Sequence, residues 1–525
     1  MCWRIPPMKN PPKEGTIMMY YVSDVPRPAE EQAHVQRSFR SHDGIAAGAC
    51  MLLGFLAVRY LLFLPDGFAT TALFLLMFFF AVWYHRKCGF AYTVSHKLQG
   101  GVICLFSLSF SLTDNSLLHT LAALYLIVAL AWLHYSAAHG LQHTPRFLFF
   151  HLTGLFMQHA PDELGSGYKA IGQSCRSSKT GNAVRIILLG LLLSLPLTLI
   201  VAALLSSADA GVAKMLNTIC DLFTEEFFSI AGQVLIAPLA GAWIFAVLYA
   251  ATNTSRYPRV CDQAFETRLE GLRFLPTLGL CTAVTPICLL YVIYVVSQIS
   301  YFCSAFRGNL PENMIYSQYA RRGFFELCAI AVLNLLVLLV INGCCKQKNH
   351  RKPFAAKLYG CALCLFTLFI IATALAKMIM YINAYGLTRP RLYTAWFMVL
   401  LAAVFILLLV MQFRKLPAAS VLTAVFTLWL GILCFARPDA LIAEYNITRW
   451  EKGTLATPDW YMLCELSDDA YAVICEHWDA IDPTNQEKIQ KNYDRRQQEY
   501  DQDIHNTWNL STQYLLHCWE GNHHE

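Results

Sequence analysis

Residues 301–343 read YFCSAFRGNLPENMIYSQYARRGFFELCAIAVLNLLVLLVING, a polar loop that leads into a dense motif and then into an unbroken apolar segment. The motif places Arg321, Arg322 and Glu326 at the start of that segment. Burying charge at membrane depth is costly, so such residues pair, face water or serve a function. This stretch therefore predicts a membrane-spanning helix with a charged entrance.

The composition of the whole chain predicts the same class of protein. Of its 525 residues, 56% are hydrophobic and 14% are charged, against roughly a quarter charged in a soluble domain. Apolar runs of about 20 residues recur, and that length crosses a hydrocarbon core of about 30 Å. The chain is therefore expected to be an all-α integral membrane protein in a lipid bilayer, which excludes a large soluble enzyme. Its basic residues are spread over short loops, which argues against binding of nucleic acid.

The apolar runs divide the chain into about 11 transmembrane helices in a bundle, followed by a small helical C-terminal extramembrane region. We expect residues 1–43 to form an N-terminal cytoplasmic tail, 44–436 the polytopic transmembrane domain and 437–525 an acidic extracytoplasmic tail. Residues 134–182 are expected to form a cytoplasmic loop with an amphipathic helix lying on the membrane. The predicted spans are 44–64, 68–84, 98–113, 117–133, 183–205, 228–251, 275–300, 324–342, 358–384, 392–413 and 418–436.

Lysine and arginine alternate between the loops and predict the orientation, because cytoplasmic loops carry an excess of both. The loop after the second span, for example, contains Arg86, Lys87 and Lys97. The loops on the other side are nearly bare, with two exceptions at residues 307–322 and 389–391. The pattern predicts a cytoplasmic N-terminus, and an odd number of spans places the C-terminus outside. The alternation also requires the third span, 98–113, although its serines make that span less hydrophobic.

Three ionisable residues, Arg59, Glu326 and Lys377, are predicted to lie at membrane depth. Our hypothesis is that Glu326 and Lys377, on consecutive spans, pair with each other near Arg59 or Arg321. A purely structural pair, side chains that reach back to the interface and a transport or proton path are the alternatives.

The segment from Lys377 to Arg391 combines several signals typical of a helix end. Tyr381 and Tyr385 are one turn apart and predict an aromatic anchor at the interface, and Gly386 can end the helix in a left-handed cap. Arg389 and Arg391 lie on the side where basic residues are scarce. They are predicted to contact the acidic C-terminal tail or a lipid phosphate, unless the segment only ends the helix.

Histidines provide the one weak metal signal. His139 and His143 are four residues apart, which on a helix would place both on one face. No carboxylate stands at the offset of a known zinc motif, so no metal and no cofactor is predicted. The sequence also contains no phosphate-binding glycine loop and no nucleophile elbow, so it gives no residue a catalytic role.

Short motifs are spread over the second half of the chain. Their residues are Tyr319, Gly323, Phe324, Phe325, Tyr381, Tyr385, Gly386, Thr388, Arg389, Arg391, Asn446, Arg449, Asp468 and Asp469. Together these motifs resemble a bacterial membrane-protein family, domain of unknown function 4153, and its relative 4173. The resemblance covers about the last 40% of the chain and implies a multi-pass protein of the bacterial cytoplasmic (plasma) membrane, with no activity or substrate. A proline expected near the end of the last motif is absent from Asp469-Ala470-Tyr471-Ala472.

Three functions are consistent with this sequence. The favoured one is a non-enzymatic sensory, scaffolding or partner-binding membrane protein whose tail docks a membrane or signalling protein, because the polar motifs gather at the outer face and in the tail. The first alternative is a transporter or lipid-handling protein that uses Arg59, Glu326 and Lys377. A membrane-embedded transferase is the second. The sequence does not determine the oligomeric state.

Overall fold

The computed structural model describes residues 39–64, 66–176, 201, 225–254, 256–257, 262–306, 316–346, 352–414 and 416–523. These residues are helical, apart from loops and one isolated β-bridge between Leu275 and Cys345. The predicted fold class is confirmed: the protein is a polytopic helical membrane protein. We call residues 437–523 the C-terminal segment.

The helices that begin before residue 300 differ widely in length. A π-helical turn, Arg59–Phe63, continues α1, and another, Leu155–His159, follows α6. In order, the helices are α1 (Ser41–Val58), α2 (Phe68–Lys87), α3 (Val94–Ser107), α4 (Ser109–Leu112), α5 (Ser116–Ala138), α6 (Leu148–Gly154), α7 (Ala160–Asp162), α8 (Ser166–Arg176), α9 (Glu225–Thr252), α10 (Asp262–Gly271) and α11 (Thr277–Phe306).

The remaining helices are four that are long and apolar enough to cross a membrane, followed by those of the C-terminal segment. The long helices are α12 (Tyr316–Cys344), α13 (Phe354–Tyr385), α14 (Arg389–Phe413) and α15 (Ala418–Phe435). The C-terminal segment contains α16 (Pro438–Glu451), α17 (Trp460–Cys464), α18 (Asp468–Glu476), α19 (Pro483–Thr507) and α20 (Leu510–His523).

Nine helices of the described ranges are long and apolar enough to cross a membrane. They are α1 with its π-helical turn, α2, α5, α9 and α11 to α15. Nine is close to the predicted number of about 11. Of the two other predicted spans, 183–205 lies outside the described residues except for residue 201, and 98–113 forms part of α3 and all of α4.

The helix pair α3 and α4 lies antiparallel between α2 and α5. The hydroxyl of Thr71, near the start of α2, donates to the carbonyl of Ser107 at 2.7 Å. At the other end, the Ser136 hydroxyl of α5 donates to the side chain of Gln99 at 3.4 Å. The pair therefore runs alongside both spans. Ser107 and Ser109 bond to carbonyls three or four residues back, a pattern that bends helices and accounts for the break.

Different parts of the chain lie at the two ends of the bundle. At the docked end lies the C-terminal segment, whose Trp508 carbonyl accepts from the Phe68 amide at the start of α2 (2.9 Å). At the opposite end, the Tyr84 hydroxyl of α2 donates to Asp43 near the start of α1 (3.0 Å). The start of α1 and the C-terminal segment are therefore at opposite ends of the bundle.

The C-terminal segment has a buried apolar core of its own. Ile442 and Ile447 of α16 pack with Tyr471 and Ile474 of α18 and with Ile489 of α19, and each is at most 4% exposed. The segment contacts the spans through its polar residues as well as through this core. Those polar contacts form the candidate site.

Candidate functional site

Polar residues from three distant parts of the sequence meet at the docked end. They come from the turn between α4 and α5 (113–115), the turn between α13 and α14 (381–391) and the C-terminal segment. We call this cluster the junction. It contains most of the family-motif residues that follow Phe325 in the sequence.

Asp439 lies at the centre of the junction and is fully buried. Its carboxylate accepts hydrogen bonds from Nε (2.9 Å) and Nη2 of Arg389. It also accepts hydrogen bonds from the side-chain amide of Asn115 (2.9 Å) and from the backbone amide of Ser467 (3.0 Å). Burial alone would raise the pKa of Asp439, but the bonds from Arg389 and Ser467 outweigh it and hold that pKa below its ordinary value. The predicted contact of Arg389 with the tail is therefore present.

Helix ends place these side chains. Arg389 starts α14 and is followed by Pro390, which fits the first turn of a helix. Asn115 caps α5 by accepting from the amides of Leu117 and Leu118. Asp439 lies in the first turn of α16, where the helix dipole favours negative charge. Each polar group thus belongs to a short turn whose position a packed helix fixes.

Asp469 forms a second buried site. Its side chain is 0% exposed and accepts Nε of Arg437 at 2.7 Å and the hydroxyl of Thr113. Arg437 has a φ of 47°, a left-handed conformation that is uncommon for a residue other than glycine. The ion pair and the start of α16 hold it there. Thr113 ends α4, so this site joins the last span to the α4–α5 turn.

Asp468 forms the third carboxylate site of the junction. It accepts Nη1 of Arg496 at 2.8 Å and the hydroxyl of Thr512. Nη2 of Arg496 also donates to the carbonyl of Leu466 at 2.6 Å, and its guanidinium lies 4.7 Å from the ring centroid of Tyr471. Arg496 therefore connects α19 to the start of α18.

Asn446 fixes the turn between α13 and α14. Its side-chain oxygen accepts from the Leu387 amide (2.7 Å) and its amide donates to the Leu387 carbonyl (2.8 Å). Gly386 has φ 78° and ψ 178°, a region essentially restricted to glycine. A Cβ there would also lie 2.4 Å from the Asn446 oxygen. Nη2 of Arg449 adds a bond to the Asn383 carbonyl at 3.0 Å.

Arg391 also binds the turn between α13 and α14. Its Nη1 donates to the carbonyls of Tyr385 (3.0 Å) and Gly386, and its guanidinium lies 4.0 Å from the ring centroid of Tyr381. Among the described residues, the polar contacts of Arg391 lie within its own turn, whereas those of Arg389 reach the C-terminal segment. The two neighbouring arginines therefore have different partners.

Asp114 stands beside these three paired carboxylates without a hydrogen bond to any described side chain or amide. It is partly exposed. Desolvation and the charges of Asp468, Asp469 and Asp439 raise the pKa of Asp114 to about 8, although Arg496 acts in the opposite direction. Asp114 is therefore the acidic group of the junction that takes up a proton most readily near neutral pH.

The part of the sequence that contains this junction also identifies the family of the protein. Residues 100–477 match the family model described as Domain of unknown function (DUF4153). The chain belongs to the DUF4153 family. No curated protein and no solved structure matches the chain.

The DUF4153 match includes the two turns of the junction and its buried aspartates. Arg496 and Thr512 lie beyond the matched range. Sequence reasoning found Arg389, Asp468 and Asp469 through their motifs.

The sequence did not indicate the residues that complete the hydrogen bonds of the junction, which are Thr113, Asn115, Tyr393, Arg437, Asp439, Arg496 and Thr512. One available signal was the run Arg437-Pro438-Asp439 directly after the last span, where two opposite charges flank a helix start. The others are ordinary polar residues in turns.

The predicted charge cluster around Glu326 stays a prediction. The side chains of Arg321, Arg322 and Glu326 lie outside the described residues, as do those of the motif residues Tyr319, Phe324 and Phe325; the helix α12 contains all of these positions and Gly323. Lys377 lies in the last third of α13, and Arg59 donates to the Gln233 side chain of α9 at 3.5 Å.

His139 and His143 do not share a helix, because α5 ends at Ala138. His139 stacks on Tyr135, with 4.2 Å between ring centroids, and lies 3.3 Å from the carbonyl of Tyr257. Within the described parts of the chain, no group of three or more potential metal ligands occurs.

Proposed function

We propose that this DUF4153 protein is a non-enzymatic sensory or scaffolding membrane protein whose C-terminal segment binds a membrane or signalling protein. In this proposal the junction holds the segment in a fixed position on the bundle. The conformation of the spans then determines how the segment is presented to its partner.

The observation that carries the proposal is the pairing of charges in the junction. Arg389, Arg437 and Arg496 each bind one buried or nearly buried carboxylate. Arg389, which binds Asp439 through both Nε and Nη2, has few donors left for a substrate. The spans are joined to the C-terminal segment by hydrogen bonds of Arg389 with Asp439, of Asn115 with Asp439 and of Thr113 with Asp469. This arrangement favours a structural connection between the two parts over a catalytic pocket.

The C-terminal segment also exposes apolar side chains away from its core. Tyr461 is 75% exposed and Leu441 is 50% exposed. Aromatic side chains are enriched in protein interfaces, so Tyr461 is a suitable position for detecting a partner.

A photo-reactive amino acid at position 461, in the full-length protein and in living cells, tests the proposal. We expect a discrete protein adduct that weakens strongly when Arg389→Gln disturbs the junction. Lys87→Gln, at the opposite end, is the control and leaves the adduct unchanged. An adduct of equal strength in Arg389→Gln, or none at position 461 and at other exposed positions of the segment, contradicts the proposal.

We also propose that the protein lies in a bacterial cytoplasmic membrane, with a cytoplasmic N-terminus and an extracytoplasmic C-terminal segment. Arg86, Lys87 and Lys97, which predicted the cytoplasmic side, adjoin the opposite end of the bundle. Two of the arginines that broke this pattern, Arg389 and Arg391, have partners within the chain. A reporter enzyme active only outside the cytoplasm, fused to the C-terminus, should be active, and a fusion after Lys87 should be inactive. The reverse result contradicts this orientation.

A further inference from the structure

A groove lies between α2 and α3 at the opposite end of the bundle and is not part of the junction. Its volume is about 710 Å³. Aromatic side chains of α2, among them Phe78, Phe79 and Trp83, form its apolar wall. Arg86 and Lys97 stand at its polar end.

Small residues on α3 create the space. A Cβ on Gly100 would lie 2.7 Å from Cζ of Phe78, so the phenyl ring packs directly on the backbone of α3. A Cβ on the neighbouring Gly101 would meet no atom within 4 Å. Cys104, one turn further, is also small and lines the groove. The groove is thus open beside Gly101 and closed beneath Gly100.

The two cations at the polar end are available for a ligand. Arg86 and Lys97 are both exposed, and neither forms an ion pair with a described residue. Basic pockets between membrane helices bind the phosphates of anionic lipids, at about 1 kcal/mol for each nearby lysine or arginine. The polar end therefore favours a negatively charged group.

The length of the groove fits one leaflet. From Lys97 to Cys104, α3 rises by about 10 Å, and from Phe78 to Arg86 α2 rises by about 12 Å, at 1.5 Å per residue. Half of a hydrocarbon core of about 30 Å is about 15 Å. Because α2 is long and apolar enough to cross the membrane and ends at Lys87, we expect the cations at the headgroup level and the aromatic wall beside the acyl chains.

We propose that this groove is a specific binding site for an anionic phospholipid. The phosphate lies between Arg86 and Lys97, and one acyl chain follows Phe78, Phe79 and Trp83. Charge at one end and an apolar wall over the rest match a lipid, whereas a free phosphate would leave the apolar wall empty. Zwitterionic lipids would gain less from the two cations.

Quenching of Trp83 fluorescence tests the proposal in purified full-length protein in detergent. The probes are brominated phosphatidylglycerol and brominated phosphatidylcholine, and a Trp83→Phe variant gives the signal of the other tryptophans for subtraction. We expect tighter binding of phosphatidylglycerol. Arg86→Gln or Lys97→Gln should weaken it about fivefold and the double variant about thirtyfold, from the energy per charge given above.

Two further variants separate charge from shape. Lys87→Gln removes a neighbouring cation that does not line the groove, so it should leave the affinity within about twofold. Gly101→Leu fills the open side without a clash, so it should weaken both lipids while thermal unfolding stays unchanged. Equal quenching by both lipids, or an undiminished preference for phosphatidylglycerol in the double variant, overturns the proposal and indicates nonspecific lipid contact only.

Discussion

The junction and the α2–α3 groove use basic residues in opposite ways. In the junction, Arg389 and Arg437 bind carboxylates that are 0% exposed. In the groove, Arg86 and Lys97 are exposed and form no ion pair with a described residue. Counts of lysine and arginine treat the two groups alike, but an arginine that is neutralised within the chain contributes little to orientation. The difference offers a reason for the deviation at Arg389, whereas Arg391 binds carbonyl oxygens and keeps its net charge.

The largest effect is expected from breaking the central pair of the junction. Arg389→Gln leaves the Asp439 carboxylate buried without its cation, which should lower the free energy of unfolding by about 3 kcal/mol. The apparent Tm of the purified protein should fall accordingly. Adding Asp439→Asn removes the buried charge and should restore part of the loss. A double variant as unstable as the sum of both single variants would refute the pairing.

Gly386→Ala should be the next most damaging change. Alanine strongly disfavours φ 78° and ψ 178°, and its Cβ would collide with Asn446, so we expect a loss of about 2 to 3 kcal/mol. Gly453→Ala is the matched control, because Gly453 also has a positive φ of 67° but open space around it. It should cost about 1 kcal/mol. Equal losses at both positions would show that the contact with Asn446 contributes nothing.

The pH dependence of stability should distinguish Asp114 from its paired neighbours. Below about pH 4 this carboxyl is protonated in both folded and unfolded chains. Between about pH 4 and 8 the unfolded chain loses the proton while the folded chain retains it, since the pKa is raised to about 8. Its contribution to stability therefore falls as the pH rises through this window.

Asp114→Asn removes that dependence, so the variant should gain stability relative to wild type from pH 5 to pH 9. Thermal unfolding at several pH values measures the gain, and Asp494→Asn at an exposed site of α19 is the control. A constant difference between Asp114→Asn and wild type over that range contradicts the role of Asp114.

The smallest effect is expected in the groove. In detergent without added lipid, Arg86→Gln with Lys97→Gln should change the free energy of unfolding by no more than about 0.5 kcal/mol, because neither cation has an ion-pair partner among the described residues. A loss comparable to that of Arg389→Gln would remove the contrast between the two regions.

Much of the membrane fold could be predicted from the sequence, because apolar runs and turn residues act locally. The predicted span 392–413 corresponds to α14, and 418–436 to α15. The break between α3 and α4 could not be read from hydropathy, since it depends on which carbonyls the hydroxyls of Ser107 and Ser109 bond.

Only part of the junction could be predicted, because the residues that it brings together are far apart in the sequence. Asp439 and Asn115 are 324 residues apart, and Asp469 and Thr113 are 356 apart. No local pattern indicates which turns become neighbours once the helices pack. The sequence singled out Asp468 and Asp469 but not their partners, and Asp114 looked like an ordinary turn residue.

The long sequence separations within the junction have a consequence for biosynthesis. Thr113 and Asn115 are inserted early, but Asp439 and Asp469 leave the ribosome only after every described span has been made. Until then the Thr113 hydroxyl and the Asn115 side-chain amide lack the carboxylates to which they donate, although Asn115 already caps α5. A nascent chain halted before residue 439 would therefore display unpaired polar groups at the docked end, which gives quality-control proteases a means of recognising an unfinished molecule.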